Sequence, residues 1–120
     1  MSDAKKKVLI VEDEEDLCEI ITEFLTEYAW DVTSTQTLEE AQKLLVEQTW
    51  SVLLIDFHLA FNTTATLLDF NARNQRYPVI LMTGAPTLET AQIARDLYKH
   101  LIVKPFTIRE LLALLPSSDA

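Results

Sequence analysis

The sequence predicts an α/β fold in which a five-stranded parallel sheet is doubly wound, with helices on both faces. Three observations carry this prediction. Four short apolar runs lack the alternation of a half-wet sheet, which suits strands buried on both faces. Segments of helical periodicity fill the intervals between the runs and give the order βαβαβαβαβα. The connections are short, so parallel strands must be joined by right-handed crossovers through those helices.

The first run is Val8-Leu9-Ile10-Val11. After it, Leu17, Ile20, Ile21, Phe24, Leu25 and Tyr28 recur at helical spacing and predict one apolar stripe, with Glu19, Glu23 and Glu27 opposite. Glu14 to Asp16 place negative charge at that helix's start, where the macrodipole favours it. The second strand, Asp31-Val32-Thr33-Ser34-Thr35, is more polar and belongs at an edge. Thr37 with Glu40 reads as a capping box for a helix through Ala41, Leu44 and Leu45. Val52-Leu53-Leu54-Ile55 is the third strand. A weaker helix follows over residues 64–74, with Asn62 or Thr63 as its cap and an end forced before Pro78. Val79-Ile80-Leu81-Met82 is the fourth strand, residues 87–96 the fourth helix and Leu101-Ile102-Val103 the fifth strand. Thr107 with Glu110 caps the last helix, which carries Leu111, Leu112, Leu114 and Leu115. Trp30 and Trp50 precede strands as packing residues, and Cys18 fills space beside the stripe of the first helix.

The flavodoxin-like strand order 2-1-3-4-5 places the polar second strand at an edge. It also directs attention to the carboxyl ends of the strands near the switch point between strands one and three, where ligands of such sheets bind.

A chain of 120 residues, 48% of them hydrophobic, is expected to form one domain over about residues 7–115, with 116–120 as a tail or the start of a linker. Its net charge of -9 disfavours direct binding of nucleic acid, which needs clustered Lys and Arg. A lone cysteine forms no internal disulfide, no apolar run approaches membrane-spanning length and the N-terminus lacks a signal-peptide core. The expectation is a cytoplasmic protein without a membrane contact.

Each buried run ends in a charged or reactive group: Glu12-Asp13, Asp56, Thr83 and Lys104 in turn. Because the strands are parallel, these ends share one edge and converge on one pocket. Three carboxylates crowded near one lysine repel one another and call for a cation. Oxygen donors suit Mg²⁺, and no Cys/His cluster supports zinc. With the metal present, an Asp carboxylate can attack a phosphoryl group and form an acyl phosphate, its charge steadied by the metal, Lys104 and the Thr83 hydroxyl. Gly84, the only glycine, would let a backbone amide approach a phosphate oxygen.

In Val8-Leu9-Ile10-Val11-Glu12-Asp13-Glu14, Leu53-Leu54-Ile55-Asp56, Leu81-Met82-Thr83-Gly84 and Val103-Lys104-Pro105-Phe106, the chain resembles the response-regulator receiver domains of two-component signalling. The resemblance covers essentially the whole length. It implies that Asp56 is the phosphoacceptor, and that Asp13 and Asp56 ligate Mg²⁺ with the backbone carbonyl of His58 and with Glu12 as the outer acid. It further implies that Thr83 is the switch hydroxyl, that Lys104 pairs with the phosphoryl group and that the Lys104-Pro105 bond is cis. The implied partners are a histidine kinase or histidine phosphotransfer protein as donor and a downstream protein target. The His58 side chain, beside the acceptor, reads either as an influence on how fast water reaches the acyl phosphate or as a solvent-facing loop histidine.

Three departures accompany the resemblance. Ala60 and Thr64 stand where the family favours proline and glycine, so the loop after the acceptor is expected to take its own path. Leu101 occupies the aromatic switch position, and Leu97-Tyr98-Lys99-His100 lacks the usual Gly-Ala. The four leucines of the last helix span more than one face, so at least one is expected to be exposed, and a homodimer or a partner contact is expected through the surface of the fourth helix, fifth strand and fifth helix. Leu101 and the altered loop also define the alternative, a pseudo-receiver that binds partners without phosphorylation. A flavodoxin-like cofactor binder is disfavoured, since a nucleotide phosphate wants glycine-rich amides rather than carboxylates.

Overall fold

The computed structural model describes residues 6–84 and 95–116. Strands β1 (Lys6–Val11), β2 (Trp30–Thr35), β3 (Val52–Asp56), β4 (Val79–Thr83) and β5 (His100–Val103) form one sheet in the order β2-β1-β3-β4-β5, with every pairing parallel. The helices are α1 (Glu15–Glu27), α2 (Leu38–Glu47), α3 (Thr63–Asn74) and α4 (Ile108–Leu114). A 3-10 turn spans Arg95–Leu97; the rest of the predicted residues 87–96 helix lies outside the described residues.

The period of two along each strand divides the core into two halves. Val8, Ile10, Val52, Leu54, Ile80, Met82 and Ile102 face α1 and α4, where they meet Cys18, Ile21, Leu25 and Leu111. Their neighbours Leu9, Val11, Leu53, Ile55, Val79 and Leu81 face α2 and α3, meeting Ala41, Leu44, Leu45, Leu67 and Leu68. Helices therefore cover both faces, and the central strands β1, β3 and β4 are apolar on both sides. Polar β2 lies at an edge as expected, and Trp30 and Trp50 are buried at the starts of β2 and the β3 segment.

Capping follows the predicted residues. The Thr37 hydroxyl accepts from the Glu40 amide, and Thr107 and Glu110 form a reciprocal box at 3.1 and 2.8 Å. At α3 the cap residue is Asn62, in a left-handed conformation and without a side-chain cap bond, whereas the Thr63 hydroxyl donates to the Ala60 carbonyl.

Two apolar predictions are corrected. The α1 stripe is split: Cys18, Ile21 and Leu25 are buried, but Ile20, Phe24 and Tyr28 lie on the outer face, exposed by 49%, 42% and 51%. An α-helix packed on a flat sheet buries one narrow arc, and positions 20, 24 and 28 fall outside it. Conversely, the leucines of α4 are not exposed. Leu111 is fully buried, while Leu112, Leu114 and Leu115 are partly buried against the same core half, as are Phe106 and Ile108 at the start of this short helix.

Candidate functional site

Parallel register brings the four strand ends to one rim. Glu12 follows β1, Asp56 closes β3, Thr83 closes β4 and Lys104 follows β5. Backbone bonds lock adjacent ends together: the Phe57 amide donates to the Met82 carbonyl at 2.8 Å, and the Lys104 amide to the Thr83 carbonyl at 2.7 Å. Beyond β1, the Glu12 amide reaches the Thr35 carbonyl on β2.

Lys104 is the centre of charge. Its Nζ donates to Glu12 Oε1 at 2.8 Å and to Asp56 Oδ1 at 3.1 Å, with Glu14 at 4.0 Å. Glu12 is 0% exposed and Asp56 is 2% exposed, so both carboxylates are held out of water. Burial pushes the Glu12 carboxyl above its ordinary value, with the Asp56 charge acting in the same sense and the Lys104 and Glu14 hydrogen bonds opposing it. For Lys104, burial works downward, but its hydrogen bonds to Glu12 and Asp56 and their charges together outweigh it and raise the ammonium. The Lys104-Pro105 bond is cis, as the resemblance implies.

Asp13 is exposed and completes the acid group. Ligand oxygens of Glu12, Asp13 and Asp56 all lie within 4.8 Å of one another. Three hard oxygen donors this close, with one ammonium between two of them, leave net negative charge at the rim. That donor set fits Mg²⁺, which binds through carboxylate, carbonyl and water oxygens.

Thr83 is completely buried, and its Oγ1 lies 3.0 Å from Nε2 of His58. The His58 ring stands edge-on to Phe57, with centroids 5.0 Å apart. Sequence reasoning gave His58 a backbone carbonyl role and a place near the acceptor, but missed this side-chain contact. It also treated Thr64 only as a departure. In the structure the buried Thr64 hydroxyl donates to the Asp56 carbonyl at 2.6 Å and approaches that of Phe57 at 3.2 Å, so the residue ties the start of α3 to the acceptor's own backbone. A hydroxyl eight residues after the strand-terminal Asp, at the first turn of the next helix, was the available signal. Between them lies a loop with Phe61 and Asn62 both at positive φ and Phe61 99% exposed.

Other predicted residues sit less centrally. Gly84 is exposed, and among the described residues a Cβ placed there would meet nothing within 4 Å. Leu101 is half-buried in β5 beside Leu81 and packs in the α2/α3 half of the core. Cys18 is buried with its Sγ 3.6 Å from the Glu12 carbonyl; burial, followed by the Glu12 charge, pushes the thiol up to about 11.

Known proteins resemble this chain in sequence and in fold. A family model described as the response regulator receiver domain matches residues 8–116. The regulatory protein VirG of Agrobacterium fabrum is 30% identical over 110 residues, 90% of this chain and 44% of that protein. The regulatory protein VanRB of Enterococcus faecalis is 31% identical over 120 residues, 95% of this chain and 54% of its own length. The chain thus spans about half the length of these relatives. Among solved structures, the response regulator TrrA of Thermotoga maritima, in complex with Mg(2+)-BeF, superposes with a TM-score of 0.78 at 20% identity, covering 90% of this chain and 94% of that one.

Proposed function

We propose, since this chain belongs to the response regulator receiver domain family, that it is a phosphoacceptor switch whose acceptor is Asp56. The observation that carries this reading is the buried Asp56 carboxylate hydrogen-bonded to Lys104 at 3.1 Å within a cluster of oxygen donors. In the reaction, an Asp56 carboxylate oxygen attacks the donor's phosphorus. A P–O bond forms to Asp56 as the bond from phosphorus to the donor atom breaks, and the leaving group keeps the electron pair and takes a proton from water. The donor is a histidine kinase or histidine phosphotransfer protein, and water later hydrolyses the acyl phosphate to restore Asp56.

Asp13, Asp56 and the His58 backbone carbonyl would hold Mg²⁺, with Glu12 as the outer acid. Bound there, the ion supplies positive charge against the carboxylates and the phosphoryl oxygens. Lys104, already bridging Glu12 and Asp56, keeps a second cation beside the acceptor, and Thr83 offers a hydroxyl from the adjacent strand end. Thr64 fixes the acceptor's carbonyl, so the nucleophile is held from its backbone as well as its side chain.

The product acts by shifting a conformational equilibrium that a downstream protein reads. The exposed apolar edge formed by Ile20 and Phe24 of α1 with Tyr28 at its C-cap, next in sequence to Glu19, Glu23 and Glu27, is the surface offered to the phosphodonor protein. Homodimerisation through the α4 side loses its main support, because those leucines pack against the core. We place the receiver domain at residues 7–115, with 116–120 as a tail or the start of a linker, in the cytoplasm. No described helix is long and apolar enough to cross a membrane. The pseudo-receiver reading is weakened by the close grouping of Asp56, Lys104, Glu12 and Asp13.

Incubation with acetyl phosphate and Mg²⁺ should add one phosphoryl group by mass spectrometry, and Asp56→Asn should add none. Unmodified wild-type protein, with intact fold and saturating Mg²⁺, would overturn the reading. In titrations, Asp13→Ala should remove Mg²⁺ binding.

A further inference from the structure

The geometry points to His58 as a positioning residue for Thr83: its ring N–H holds the Thr83 hydroxyl so that the hydroxyl proton is presented to the phosphoryl group. This rests on the receiver reading above and adds a residue to it.

A threonine hydroxyl has one proton to donate and two lone pairs to accept with. Thr83 is fully buried at the end of β4, the strand that pairs with the one Asp56 closes, so the direction of its hydroxyl proton depends on the groups that contact it. A hydroxyl that spends its proton on one of them cannot donate it to a phosphoryl oxygen. The His58 contact, 3.0 Å from Nε2 to Oγ1, decides between these outcomes according to which ring nitrogen carries hydrogen. With hydrogen on Nε2, the ring donates into a lone pair of Oγ1 and leaves the Thr83 proton for an acceptor elsewhere. With Nε2 bare, the ring consumes that proton.

We assign the first arrangement, for two reasons. The contact lies at a rim where three carboxylates exceed one ammonium, and such a field favours an N–H dipole directed into the site. The ring is also held in place: Phe57 meets it at an interplanar angle of 89°, and both residues follow directly on Asp56. The acceptor's own loop therefore carries the group that aims the hydroxyl of the next strand. The resulting chain runs from Nε2–H to Oγ1, and from Oγ1–H to a phosphoryl oxygen, without any proton changing owner. Such an arrangement is ordered before the phosphoryl arrives, which is what electrostatic preorganisation requires.

The test is a set of variants read by the rate of phosphoryl gain from acetyl phosphate with saturating Mg²⁺. His58→Leu, which removes the donor, should slow the step about tenfold, the loss of one oriented hydrogen bond. His58→Gln, whose carboxamide N–H can reach Thr83, should recover most of the rate. On a Thr83→Ala background, His58→Leu should have no further effect. Mg²⁺ affinity should be the same in wild type and His58→Leu, because the side chain is not a ligand in this scheme. Equal slowing by Leu and Gln, or an undiminished effect in the Thr83→Ala background, would overturn the assignment in favour of a ring that only shields the site from water. Nitrogen-15 spectra of the unphosphorylated protein give an independent readout. The proton should be found on Nε2, and its signal should move in Thr83→Ala. A ring protonated only on Nδ1 would sink the inference even if Asp56 is phosphorylated. Absence of phosphorylation in wild type, by contrast, would defeat the receiver reading while leaving the tautomer result to decide the His58-Thr83 contact.

Discussion

The two ends of the sheet both bury polar side chains, and they do so in opposite ways. At the amino end of β4, Asn71 is 3% exposed, and its carboxamide both donates to the Tyr77 carbonyl at 2.9 Å and accepts from the Tyr77 amide at 3.0 Å. Its own carbonyl receives the amides of Gln75 and Arg76, closing the turn in which Arg76 has φ of 55°. Every one of these hydrogen bonds joins neutral groups close together in the chain. At the carboxyl end, Glu12 and Asp56 meet Lys104 across 92 and 48 residues of chain, and carboxylates outnumber ammonium groups. Buried polarity that closes on nearby backbone is architecture. Buried charge collected from distant strands and left with an acidic excess costs stability, and its persistence marks a site.

The largest break in that comparison is Lys104→Met. It leaves Glu12 and Asp56 buried without a cation, so urea denaturation at neutral pH should show a loss of about 3 kcal/mol, and phosphoryl gain should slow about a hundredfold or more. A loss under about 1 kcal/mol would mean that the two ends are energetically alike. Next, Asn71→Ala strands the Tyr77 amide and carbonyl, and should cost about 2 kcal/mol by the same denaturation assay. Its rate of phosphorylation by acetyl phosphate should match wild type, since only the architectural end is touched.

A pH series sharpens the contrast further. The folded-state value of Glu12 is raised above 4.5, so its contribution to stability is fully present below 4.5 and is lost as pH rises through the higher folded value. Lys104, raised above 10.5, contributes fully below 10.5 and loses that contribution only as pH climbs through its own raised value. Metal-free wild type should therefore gain stability relative to Glu12→Gln as pH is lowered from 7 toward 4.5 in parallel denaturation curves. The Asn71→Ala difference should stay flat over the same range. The smallest stability effect belongs to Phe24→Ser, within about 0.5 kcal/mol because the ring is already exposed. Its consequence should appear in weaker capture of phosphoryl from a protein donor, with the acetyl phosphate rate unchanged.

Strands and their terminal groups were legible because central parallel strands are apolar on both faces, so each run stops where a polar residue leaves the core. This gave Glu12, Asp56, Thr83 and Lys104 together with the order of the sheet. Periodicity alone could not say how wide an arc α1 buries, and so Ile20, Phe24 and Tyr28 were assigned inward. The same blindness worked in reverse for α4, whose leucines pack against the core half built from β1, β3, β4 and α1, which a helical wheel does not show. Side-chain contacts between loops were the least visible. The bond from Thr64 to the Asp56 carbonyl had only its spacing from Asp56 as a signal, and the contact of His58 with Thr83 depends on how the loop after β3 passes the end of β4, which no residue spacing encodes.

Cys18 turns the site's electrostatics into something a chemist can time. With the thiol held up to about 11, on the order of one molecule in a thousand carries the reactive thiolate at pH 8, so alkylating reagents must wait for the chain to open. The rate of labelling then becomes a clock for unfolding that needs no engineered probe. A divalent ion that binds the rim of the folded chain and not the opened one should slow the same clock, reporting occupancy from inside the core.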